Sequence, residues 1–127
     1  MMTEQEYIAA AISKLVTGGF MLSGTPTNAT EFNEMYSKQQ EDGTHAPDTS
    51  ITWTQVQEKI IEVKEEYKLL FLREVRNTKL AETDWVVTMH KELGTNIPAA
   101  WKTYRQALRD ITDTYTSLDD VVWPEKP

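Results

Sequence analysis

The 127-residue sequence contains no cysteine, which excludes a disulfide framework, a thiolate metal site and a cysteine nucleophile. Its two histidines, His45 and His90, stand at no metal-ligand spacing and have no carboxylate pattern around them, so no metal site is expected. The five glycines are scattered at turns and helix ends, leaving neither a glycine-rich phosphate loop nor a nucleophile elbow. No apolar run approaches a membrane span, and Glu4 and Glu6 stand where a signal peptide would carry its basic region. The expectation is a soluble, cytosolic protein with no membrane partner. Bases are outnumbered 13 to 20, for a net charge of -7, which disfavours nucleic acid as a partner. The acidic pairs Glu65-Glu66 and Asp119-Asp120 have no accompanying nucleophile or oxyanion donor, so neither an enzyme nor a cofactor is expected.

What is present is helical patterning. At 39% hydrophobic residues, the chain has one domain's worth of core, able to bury about two thirds of its unfolded surface. Thr3 and Glu6 have the spacing of a capping box, and Ile8, Ala11, Ile12 and Leu15 continue a helix from about residue 4 to 17, stopped by Gly18-Gly19. Phe32, Met35 and Tyr36 mark a short second helix capped by Asn28 or Thr30. Residues 38–50, with Gly43, Pro47 and little to bury, read as an exposed loop or linker. They divide the chain into an acidic N-terminal region, residues 1–50, and a longer helical unit, residues 51–127.

In the second region Thr54 is a candidate N-cap for a helix reaching about Leu80. Its residues Trp53, Val56, Ile60, Val63, Tyr67 and Leu70 keep a heptad spacing for two and a half repeats. Such a seam docks on its own domain or joins copies of the chain into a homo-oligomer. Asp84 is a candidate cap for a helix from Trp85 to Leu93, in which Trp85, Met89 and Leu93 share a face and Gly94 is the stop. A further helix begins near Asn96 or Ile97 with Pro98 in its first turn and repeats Trp101, Tyr104, Leu108 and Ile111. The end, with Val121, Val122, Trp123 and two prolines, is expected to lie extended against the helices. The fold class is mainly α: a small helical domain with a long helix, a helical hairpin and an extended C-terminal tail, with little or no sheet.

All four arginines fall between residues 73 and 109. Arg105 and Arg109 each follow a core position, and Arg73 and Arg76 share a row with Leu69 and Leu80, so their stems can cover apolar surface while the guanidinium forks point outward. These forks either pair inside the domain with Glu82, Asp84, Asp110, Asp119 or Asp120, or grip a carboxylate or carbonyl of a partner protein.

The blocks LREVRNTKLAETDW (72–85), WKTYRQALRDIT (101–112) and VVWPEKP (121–127), in this order, resemble the tail assembly chaperone family of tailed bacteriophages and the C-terminal part of tail fibre assembly proteins. The resemblance covers about residues 68–127. One departure is the stretch VVTMHKELGTNIP after Trp85, which reads as helical where many relatives carry a proline-rich link. The resemblance implies a non-catalytic protein that helps a phage tail or tail fibre protein fold or assemble in the host cytoplasm. The alternative is a structural virion component, a tail, fibre or neck protein that oligomerises through the helix of residues 53–70. The residues expected to meet a partner are Arg73, Arg76, Asp84, Trp85, Trp101, Tyr104, Arg105, Arg109 and Trp123, with the aromatics as anchors and the arginines giving orientation.

Overall fold

A computed structural model describes residues 2–127 and is mainly α-helical. Two compact units divide within one long helix, the first ending at Lys64 and the second running from Glu65 to Pro127.

In the first unit, α1 spans Glu4–Leu15. Its capping box is complete: the Glu6 amide donates to Thr3 Oγ1 at 3.2 Å, and the Thr3 amide donates to the Glu6 carboxylate at 2.6 Å. Two orphan donors of the first turn are thereby satisfied. The helix stops two residues before the expected end, because Val16 is already extended. Strand β1, Phe20–Leu22, leads to α2, Ala29–Met35, which is capped by Asn28 accepting from the Glu31 amide at 2.9 Å.

Tyr36, expected on the second helix, instead opens a strand, and residues 38–46 depart from the exposed loop expected over 38–50. Strand β2, Tyr36–Gln39, pairs antiparallel with β1, and β3, His45–Ala46, pairs with β2 in a small sheet of order β1-β2-β3. The reversal between β2 and β3 is closed by the Gln40 amide donating to the Thr44 carbonyl at 2.7 Å, with Gly43 at φ 85°. These strands are two to four residues long, too short to show alternation in sequence; their backbone ladder, which any side chain permits, makes them.

Tyr36 anchors this sheet. Its ring stacks on Phe32 at 5.0 Å, and its hydroxyl donates to Asp48 Oδ2 at 2.6 Å. Burial, reinforced by the Asp48 carboxylate, pushes the Tyr36 hydroxyl above the usual tyrosine range. The hydrogen bond from Tyr36, aided by the Ser50 amide, holds Asp48 below the usual carboxylate range. The fully buried side chains of this unit include Ile8, Ile12, Phe32, Val56 and Val63.

Helix α3 runs Trp53–Ala81. Its cap is Thr52 instead of the expected Thr54: the Gln55 amide donates to Thr52 Oγ1 at 3.2 Å, and Gln55 Oε1 accepts from the Thr52 amide at 2.9 Å, a second capping box. In the second unit, α4 spans Asp84–Leu93 and ends on Gly94 in the left-handed conformation, φ 68°. Helix α5 spans Ala99–Arg109, with Pro98 as the N-cap, one position outside the expected first turn. The single turn α6, Ile111–Thr114, precedes a tail without regular secondary structure. Leu72, Val86, Tyr104, Leu108 and Ile111 are buried here.

Candidate functional site

The buried surprise of the second unit is a charge. Arg105, on the face of α5 that also carries Trp101 and Leu108, is only 8% exposed. Its Nη1 donates to the Leu80 carbonyl at 2.8 Å and to Thr83 Oγ1 at 2.7 Å, and its Nη2 donates to Asp84 Oδ1 at 2.7 Å. Thr83, itself buried, donates its hydroxyl to the Leu80 carbonyl at 3.1 Å. One planar fork therefore closes the C-terminal end of α3, the turn behind it and the first residue of α4, a geometry that a lysine cannot reproduce. The same network explains why Asp84 is not the cap of α4. Its carboxylate is drawn to Arg105, and Thr83, which does stand at the N-cap, makes no side-chain cap bond.

Of the other arginines, Arg76 and Arg109 make contacts of their own. Arg76 donates from Nε to Asn77 Oδ1 at 2.7 Å and from Nη1 to the Arg109 carbonyl at 3.2 Å, tying α3 to the end of α5. Arg109 is exposed and reaches Gln106 Oε1 at 3.5 Å, and Arg73 is exposed on α3.

Aromatic residues form a chain beside this network. The Trp85 and Trp101 rings meet edge-on at 6.3 Å, and Trp101 meets Tyr104 edge-on at 6.2 Å, distances at which such pairs attract. Tyr104 is buried and Trp101 half-buried, while Trp85 is 58% exposed. From Trp85 the exposure continues along α4 through Met89 at 38% and Leu93 at 67%. Three large apolar side chains, one helical turn apart, thus lie open on a helix in which Val86 is buried. Met89 and Leu93 were legible as sharing a face with Trp85. Their openness was not, because the pattern of a helix does not say which of two apolar rows is covered.

The tail is held at named points. Lys79 Nζ lies 5.1 Å from the centroid of the half-buried Trp123 ring, Lys126 approaches Glu82 at 3.7 Å, and Lys68 approaches Asp119 at 4.0 Å. Such exposed pairs contribute little individually, so the cation over the Trp123 ring is the firmer contact.

The heptad seam is not one open stripe. Val56, Ile60 and Val63 are buried within the protomer, Trp53 is half-buried with its ring 5.6 Å from Phe32, Tyr67 lies 6.0 Å from Phe71, and only Leu70 is substantially exposed. Among the described residues no group of His, Asp or Glu could hold a metal, and no helix is long and apolar enough to cross a membrane. His90 Nδ1 lies 2.7 Å from Thr95 Oγ1 at the end of α4, and His45 is exposed on β3.

No curated protein and no solved structure matches the chain. Residues 70–127 match the family model described as phage tail assembly chaperone protein, a span that falls wholly inside the second compact unit.

Proposed function

We propose, from the match of residues 70–127 to the phage tail assembly chaperone family, that the second unit captures a phage tail or tail fibre protein through the open row Trp85, Met89 and Leu93. The match to a tail assembly chaperone family supports a role in tail assembly, and the chaperone name suggests that this role is not a catalytic one. The observation that carries the surface is the exposure of this row inside the matched unit. Apolar side chains at i, i+4 and i+8 suit the apolar face of a partner helix, and an aromatic anchor backed by a second tryptophan is what concentrates binding energy in a small contact. The exposed Arg73 and Arg109 supply orienting charge at the margin. Arg105 and Tyr104 act from beneath, holding the surface in shape.

The test is coexpression of the chain with candidate tail and tail fibre proteins of a tailed phage. Leu93→Lys is expected to abolish the soluble complex while leaving the melting temperature nearly unchanged, because Leu93 is largely exposed. A complex that survives Leu93→Lys and Met89→Lys together removes this surface from the reading. Mass spectrometry of purified particles checks the mode of action: a chaperone that releases its client is absent, and stoichiometric presence identifies a structural component instead.

A further inference from the structure

The first unit lies outside the family match and has an opening of its own. A groove of about 380 Å³ is bounded by α1, the loop before α2 and the first turns of α3. Its base is apolar: Ile8, Pro26 and Ile60 are buried, and Trp53 is half-buried. Its wall is Ile61, which is 67% exposed although it directly follows a core residue. A branched aliphatic side chain left open at the edge of an apolar depression gains when another molecule covers it.

The rim carries charge of one sign. Glu4 lines the groove, and Thr27, which also lines it, donates its hydroxyl to the Glu31 carboxylate at 2.7 Å, holding a second acid at the edge. Glu58 stands on α3 one turn before Ile61 and is exposed. None of the described residues lining the groove is basic. Of the cations near these residues in sequence or contact, Lys64 is engaged with Glu4 at 3.3 Å and lies over the Tyr7 ring at 5.3 Å, and Lys59, beside Ile60 on α3, is engaged with Glu62 at 2.7 Å. Residues 1–64 as a whole hold nine acids and four bases.

We infer that this groove seats an extended segment of another polypeptide in which an aliphatic side chain is flanked by lysine or arginine. The aliphatic group fills the base over Trp53 and covers Ile61, and the flanking cations meet Glu4, Glu31 and Glu58. The apolar contact supplies affinity, and the acidic rim supplies selection and a faster encounter. An acidic segment of the same shape is rejected by like charge. The inference is independent of the reading of the second unit.

Fluorescein-labelled peptides test it by anisotropy against the full chain: KRILKR, the equally charged KRGSKR without the aliphatic pair, and the acidic EDILDE. KRILKR is expected to bind roughly tenfold more tightly than either control, with Ile61→Lys and Glu58→Lys each weakening it by about threefold to tenfold at low salt. Leu93→Lys, in the other unit, is expected to leave it unchanged. Both groove variants alter exposed side chains, and circular dichroism verifies that they fold. Equal binding of KRILKR and KRGSKR, indifference to both groove variants, or no binding at all overturns the inference. Sedimentation of the chain alone supplies the remaining arm: self-association abolished by Ile61→Lys assigns the groove to a second copy and overturns it equally.

Discussion

At Arg105, three acceptors from two helices and their turn converge on one guanidinium. Removing it leaves the Thr83 hydroxyl oxygen without its donor and Asp84 without its cation, while the Leu80 carbonyl keeps only its bonds from Thr83. Arg105→Ala is therefore expected to destabilise the protein by about 3 kcal/mol in a urea titration, and Arg105→Lys to recover only a minor part, since an ammonium cannot span the fork. The Tyr36–Asp48 bond has a pH signature. Because folding lowers the Asp48 carboxyl, its contribution is present above the ordinary carboxylate range and is lost as pH falls through the depressed folded value. Because folding raises the Tyr36 hydroxyl, its contribution is present below the ordinary tyrosine range and fades as pH rises beyond it. Asp48→Asn is expected to cost about 1 kcal/mol at neutral pH and to flatten the acid limb of stability, read from denaturant midpoints between pH 6 and 3.

Among the elements, α4 carries both a buried and an open set of apolar side chains. Val86 is buried, and Trp85, Met89 and Leu93 are left open. Its end depends on Gly94 at φ 68°, a conformation that costs an L side chain energy. Gly94→Ala is thus expected to lower stability by about 1 kcal/mol in thermal unfolding. Nothing lies within 4 Å of a methyl group placed there, so the loss reports backbone strain alone. At the start of α3, Thr52→Ala is expected to remove about 1 kcal/mol through the loss of its box with Gln55, whereas Thr54→Ala, inside the first turn, is expected to be near neutral.

For the whole molecule, one helix contributes to two compact units, and the family match falls in the second. A client is expected to be captured by that unit. A photo-crosslinking residue at position 93 should join the chain to a coexpressed tail protein, whereas one at exposed position 77 should not, as read on a denaturing gel. The first unit carries the larger excess of acids over bases and bears the separate groove.

Much of this was legible locally. Capping residues, glycine stops and three- and four-residue spacings act over a single turn of chain, so the sequence alone determined that α1, α3, α4 and α5 exist, approximately where they end, and that the protein is mainly α. It also determined that no thiol chemistry is available. The tertiary structure decided the rest, because the contacts responsible join residues far apart in sequence: Arg105 meets Leu80 across 25 positions and Asp84 across 21. Amphipathic spacing placed Arg105 at a border between core and water, and only the fold could turn that border inward while leaving Leu93 outside. The short β1-β2-β3 sheet was likewise settled by backbone pairing, to which side-chain patterns are blind.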